Sequence, residues 1–138
     1  MRYLLDVNVL VAWGWEDHVD HDRAAAWIAA SKRIRGCALL TSAIPQLGFV
    51  RVSVQRMAGQ LTVTQAADVL GGMIGSLGRS HAFLADNVDS TEWPDWCESA
   101  SRTTDAHLLS LANVHQAELA TLDAGIPGAF LVPDLKTT

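Results

Sequence analysis

The chain has 138 residues, 49% of them hydrophobic and 18% charged, which is the size and apolar content of one compact domain and leaves no room for a second. Its 15 acidic and 10 basic residues give a formal net charge of -5, which excludes a protein that coats nucleic acid by bulk electrostatics. The acidity belongs to the second half: residues 1 to 79 carry 8 Lys/Arg and 6 Asp/Glu, a balance of +2, and residues 80 to 138 carry 2 and 9, a balance of -7. Cys37 and Cys97 lie far apart with no CxxC pairing and read as packing residues of a reducing compartment. Asp6 and Asn8 interrupt the apolar start MRYLLDVNVLVAW, unlike a secretory leader. With no run of the ~18–20 apolar residues that a membrane span needs, the expectation is a soluble cytoplasmic protein.

In chain order, Tyr3–Leu5 reads as a strand ended by Asp6, and Val7–Trp15 as a short helix. Asp20 or Asp22 can cap an alanine-rich helix running to about Arg33 before Gly36. Ala38–Leu40 is a second strand. Ser42 then caps a helix that tolerates Pro45 in its first turn, with Ile44, Leu47, Val50, Val54 and Met57 spaced as its buried face. Thr62 or Thr64 caps a helix through Leu77, in which Gly71, Gly72 and Gly75 each cost about 1 kcal/mol relative to alanine; a closely packed neighbour or an earlier helix end is expected there. His81–Leu84 is a third strand, and the polar segment 86–101 is the least readable. Thr104 caps a helix to about His115 with Leu108, Leu111 and Ala112 on one face, and Leu119–Leu122 and Ala129–Val132 complete the strands. Strands alternating with helices imply an α/β domain over residues 1–138, with a small parallel sheet flanked by helices on both faces.

In such sheets ligands bind outside the carboxyl ends of the strands. That rule selects Asp6, after the first strand, and Asp123, after ATL. Asp105, in the first turn of the helix that opens at TTDAH, can face the same crevice. Three converging carboxylates repel one another in a dry cleft unless a cation neutralises them. A hard divalent ion suits them, because magnesium keeps several waters and takes one or two carboxylates directly. Singly, Asp105 is equally explained as complementing a helix N-terminus and Asp123 as a turn residue. Asp6, an acid between two apolar runs, is poorly explained by solvation.

The blocks LLDVNVLVA, LGFVRV, TTDAHLLSLA and ATLD occur in that order, and in them the chain resembles the PIN-domain ribonucleases, most closely the VapC toxins of type II toxin–antitoxin pairs. The likeness runs from about Tyr3 to Pro133. It implies an Mg²⁺- or Mn²⁺-dependent endoribonuclease whose catalytic and metal-binding acids fall on Asp6, Asp105 and Asp123. It also implies a cognate antitoxin that inhibits the active site, and a homodimer. One position departs: where the family usually has a glutamate two residues before the glycine of its GFVR block, this chain has Gln46, which the resemblance puts in the catalytic set, in the first turn of the third helix and facing the crevice. The amide can accept a hydrogen bond from a metal-bound water, but it carries no charge and cannot act as a base.

Around these residues, Asn8 and Thr121 are placed to hold carboxylates or waters by hydrogen bonds. Arg51 and Arg56, with Arg79 and Arg102, are the cations available to RNA. His18 and His21 lack further metal ligands nearby and read as helix-entry or surface residues; His107 lies close enough to the site to affect its pH dependence without being catalytic. Trp27 is expected in the core, and Trp13 and Trp15 beside an exposed groove. Two other readings compete. In one the domain binds RNA or an antitoxin without cutting, because of Gln46. The other is a receiver-like signalling domain, which calls for an adjacent acidic pair after the first strand and a lysine after a late one; here Asp6 precedes Val7, and ATLD precedes Ala-Gly.

Overall fold

The computed structural model describes residues 1–135; the last three residues of the expected 1–138 domain lie outside it. The elements run β1 (Arg2–Leu5), α1 (Val7–Gly14), α2 (His21–Lys32), β2 (Ala38–Ser42), α3 (Ala43–Arg56), α4 (Val63–Leu77), β3 (His81–Leu84), α5 (Thr103–Val114), β4 (Glu118–Thr121) and β5 (Phe130–Leu131), with single 3-10 turns at Gly78–Ser80 and Ala100–Arg102. The strands form one parallel sheet in the order β3-β2-β1-β4-β5, the α/β architecture expected. Winding proceeds outward from β1 to β3, then returns to β4 on the other side of β1. The reversal lies between β1 and β4, so the crevice at their carboxyl ends is the place where such a sheet accepts a ligand.

Alternation along the strands divides the core in two. Tyr3, Leu5, Leu39 and Ala120 face one layer, with Val9, Leu10, Trp27, Ile28, Phe49, Leu70 and Leu77. Leu4, Leu40 and Leu119 face the other, with Leu108, Leu111 and Ala112 of α5. Helices therefore cover both faces. Trp27 packs edge-on against Tyr3, with ring centroids 5.1 Å apart. Cys37 is buried, Cys97 is half-buried, and both are free thiols.

Several local expectations are corrected. In α3 none of the five predicted positions is fully buried, and Leu47 is 64% exposed; the buried side is Pro45, Gly48, Phe49 and Ser53. The reason is a close approach: a Cβ on Gly48 would meet Val7 Cγ2 at 2.5 Å, so α1 and α3 touch through a residue that hydrophobic periodicity cannot count. Gly14 does the same at the far end of α1, where a Cβ would meet Phe49 at 2.7 Å. The α4 glycines neither receive a neighbour nor end the helix. A Cβ on any of them would meet nothing within 4 Å, and the helix is held by a reciprocal Thr62–Gln65 capping box and by buried Ala66, Leu70 and Leu77.

Two caps and one strand end differ as well. Thr104 does not cap α5, which begins at Thr103, whose hydroxyl donates to the Ala100 carbonyl. Ser42 occupies the cap position of α3 but donates its hydroxyl to the Leu84 carbonyl of β3. β4 ends at Thr121, two residues before Asp123. Trp15 turns inward: it stacks on Phe49, and its indole N–H donates to Ser53 Oγ at 2.8 Å. Trp13, half-buried, packs against the first core layer and, as expected, stands at a groove, a recess of about 160 Å³ that it lines with Ile28, Lys32 and Leu77.

Candidate active site

Asp6 follows β1 and caps α1. The strand geometry is carried one residue further by its own N–H, which donates to the Ala120 carbonyl at 3.0 Å. Its side chain is 4% exposed, accepts the Val7 N–H at 2.7 Å on one oxygen and the Thr121 hydroxyl at 2.8 Å on the other. Thr121 in turn receives the Asn8 side-chain amide at 3.0 Å and the Asp123 N–H at 3.1 Å. Asn8 Oδ1 accepts the Leu122 N–H at 3.1 Å. The ends of β1 and β4 are thus laced by one polar network, which fixes the carboxylate of Asp6 and the loop that carries Asp123. The Asp123 carboxylate accepts the Gly125 N–H at 2.8 Å.

Asp105 lies in the first turn of α5, 3.9 Å from Arg102 Nε. Its carboxyl is pushed above the ordinary range by burial and by Asp123, and Arg102 opposes the rise. Asp6 is pushed up to about 6. Burial is the main cause; the bonds from Thr121 and Val7 pull the other way, and the charges of Asp105 and Asp123 add to the rise. The three acids therefore share one field, and their mutual repulsion is the electrostatic signature of a place prepared for positive charge.

A recess of about 360 Å³ opens beside them. Asp6 and Asp105, the cations Arg51 and Arg56, and the apolar Val7, Val11 and Val52 line it together with Asn8 and Thr104. Arg56 also reaches Asp17 at 3.6 Å. Arg102 does not line the recess; beside Asp105, it also donates to the Gly125 carbonyl at 2.5 Å and lies over the Trp96 ring at 5.2 Å. Gln46 does not line this recess. It sits in the first turn of α3 and donates its amide to Thr41 Oγ1 at 3.0 Å, which is 2.7 Å from His81 Nε2.

One residue of the recess goes unrecognised in the sequence. His18 lines it, with Nδ1 accepting the Asp20 N–H at 3.0 Å, so that a neutral ring carries its proton on Nε2. The HxxH spacing is a signal, but it points to a metal pair, whereas His21 Nδ1 lies 2.9 Å from the Ala12 carbonyl and joins α2 to α1. His107 is paired at 2.6 Å with Asp86. Among the described residues no three His, Cys, Asp or Glu side chains form a ready-made ligand cluster. A hard cation that keeps most of its waters needs only one or two carboxylates directly, and the raised, mutually repelling pair Asp6 and Asp105 fits that demand.

No family model matches the chain. Among curated proteins, it is 40% identical over 139 residues to Ribonuclease VapC44 of Mycobacterium tuberculosis, covering 94% of each chain. It is 35% identical over 132 residues to Ribonuclease VapC39 of the same organism, covering 91% of each. Ribonuclease VapC38 is 36% identical over 126 residues, 89% of this chain and 86% of its own. With the strand-end acids in place on a parallel sheet and relatives at this identity matched along almost their whole length, the chain belongs to the VapC ribonuclease family.

Proposed function

We propose that this chain is the endoribonuclease toxin of a toxin–antitoxin pair and cuts RNA in the recess between Asp6, Asp105 and the two arginines. The observation that carries this is the meeting in one recess of a buried and a half-buried acid, each with a raised carboxyl, and a pair of cations, on a chain whose relatives are named ribonucleases. Asp6 and Asp105 would hold Mg²⁺ or Mn²⁺, with Asp123 completing the set through water. When bound, such an ion supplies an acidified water and neutralises charge growing on the phosphorus oxygens.

The chain's own residues do the rest. The Thr121–Asn8 network keeps Asp6 in one orientation, which spares the reorganisation that a mobile carboxylate would need. Arg51 and Arg56 hold phosphates in the same recess, where a local cationic rim binds a strand despite the negative total. Gln46 acts away from the reacting atoms, through Thr41; the usual glutamate's charge is absent, and the charged groups at the site are the three acids, Arg51 and Arg56 of the recess, and Arg102 beside Asp105. The cell compartment of this activity is the cytoplasm, where RNA and a protein antitoxin both occur. No helix among the described residues is long and apolar enough to cross a membrane. An antitoxin segment that covers the recess, and a second copy of the chain, complete the assembly proposed.

The test is RNA cleavage by the purified chain with and without Mg²⁺ or Mn²⁺, beside Asp6→Asn and Gln46→Glu. Cleavage that needs the metal and is lost in Asp6→Asn is expected. Cleavage by Gln46→Glu alone would mean that the natural site binds RNA without cutting it, and absence of divalent binding to both chains by calorimetry would refute the metal site.

A further inference from the structure

A second, shallower recess of about 210 Å³ adjoins the first, and Thr104 lines both. Its other walls are Ile44, Ser90, Trp93, Thr103 and His107. It is smaller than the ~300–1,000 Å³ of a site that encloses a whole small-molecule ligand, so it accepts one group rather than a molecule. Its surface is an indole, the imidazole paired with Asp86, an aliphatic side chain and hydroxyls, with no carboxylate or guanidinium. Such a lining suits an uncharged planar group and offers a phosphate hydroxyls but no arginine or lysine.

Trp93 is the unusual part. Its neighbour Trp96 packs against the second core layer and lies under Arg102, a structural use of the ring. Trp93 instead remains 41% exposed, although a tryptophan ring is a large apolar surface to leave in water. The loop holds it in place: its indole N–H donates to the Ser90 carbonyl at 3.1 Å. Asp89 accepts the Thr91 N–H and hydroxyl at 3.3 and 2.9 Å. The far side is braced by His107, whose Nε2 is 2.6 Å from Asp86. The ring is thus exposed and fixed beside the catalytic recess, ready to stack without first being ordered.

Resting on the ribonuclease reading, we propose that Trp93 and Thr104 form a subsite for one unpaired nucleobase of the RNA, adjacent to the phosphate that is cut. Stacking on the indole face tolerates any base, and the Ser90 and Thr104 hydroxyls offer edge contacts. A base can enter only when it is out of its own stack, so the subsite selects single-stranded or looped RNA over duplex. The acids of the same loop, Asp89, Glu92 and Asp95, keep phosphates away from this side and leave the backbone to Arg51 and Arg56.

The experiment measures fluorescence anisotropy of labelled RNA decamers in Mg²⁺, in an Asp6→Asn background that stops hydrolysis. One decamer carries bases and the other is abasic throughout. Trp93→Ala is expected to weaken the base-bearing decamer about 5- to 100-fold and to leave the abasic decamer unchanged, while Trp93→Phe keeps most of the affinity. Thermal melting of each variant checks that it is folded. An equal loss for both decamers, or no loss for either, overturns the subsite; so does a loss confined to a bound partner protein with both RNAs unaffected. The ribonuclease reading fails separately, if the unaltered chain with Mg²⁺ or Mn²⁺ cuts no RNA.

Discussion

Replacing Asp6 by asparagine should make the metal-free protein more stable while removing its activity. The carboxyl is moved from 3.8 to about 6 by the fold, which costs about 3 kcal/mol of stability at neutral pH at about 1.36 kcal/mol per tenfold change in ionisation. Asparagine keeps the Val7 N–H bond, since it is itself a good N-cap. It loses the charged acceptor of the Thr121 hydroxyl, worth about 1 kcal/mol. The balance is about 2 kcal/mol in favour of the variant, or roughly 5–10 °C in Tm for a domain of this size. Because the folded state holds the Asp6 proton more tightly than the unfolded chain, the cost is complete above about pH 6. It shrinks between there and 3.8 and is absent below, so acidification through that window should favour the natural chain and close the gap. Differential scanning calorimetry in EDTA across pH 4 to 8 measures this directly. Added Mg²⁺ should then raise the Tm of the natural chain, by about 2.7 kcal/mol equivalent at a hundred times Kd, and not that of the variant. A variant less stable than its parent at pH 7 in EDTA, or one that still responds to Mg²⁺, would refute the reasoning.

Other perturbations separate the walls of the recess. Arg51→Ala and Arg56→Ala should each weaken single-stranded RNA binding and lower the slope of log K against log salt by about 0.7 for each phosphate no longer neutralised, read by anisotropy titrations at several salt concentrations. The Arg56 effect should be the smaller, because Asp17 already partly neutralises it. Gly48→Ala places a methyl 2.5 Å from Val7 Cγ2, next to Asp6; a loss of about 1–3 kcal/mol is expected from overpacking, with reduced cleavage even at temperatures where the variant is fully folded. Gln46→Glu adds a charge outside the recess, beside Thr41. Divalent binding by calorimetry should therefore change by no more than the ~0.5–1 kcal/mol of a partly exposed ionic interaction, and a Kd tightened about ten-fold or more would show that position 46 reaches the metal.

The sheet and the acids were legible in the sequence because each is marked by a local change of pattern. YLL and LATL are short, largely apolar runs that stop at an acid, and the acids after them are the ones the topology brings to the reversal between β1 and β4. Burial on α3 was not legible in the same way. Periodicity weighs large apolar side chains, but the contact of α3 with α1 is made by Gly48, which has none, and the helix is rotated so that Phe49 and Ser53 face inward while Leu47 faces water. The α4 glycines misled in the opposite sense. Their propensity cost is real, yet a capping box and three buried anchors carry the helix past them. His18 escaped because it enters the recess from the α1–α2 connection, and a connection has no period from which its direction can be read.

The uneven charge takes on a different meaning once the partners are known. Of the acids after residue 80, Asp86 is paired with His107, Asp89 closes a turn on Thr91, and Asp134 meets Arg23 at 3.4 Å. Asp105 and Asp123 stand in the field of Asp6. The remaining excess lies mainly on the segment that carries Trp93, where it opposes phosphates. Arg51 and Arg56 belong to the half with a balance of +2, so a strand drawn to them is repelled by the acidic segment, and the two together restrict where its backbone lies. A negative protein can in this way orient RNA with two cations, because its acids limit where the strand can go.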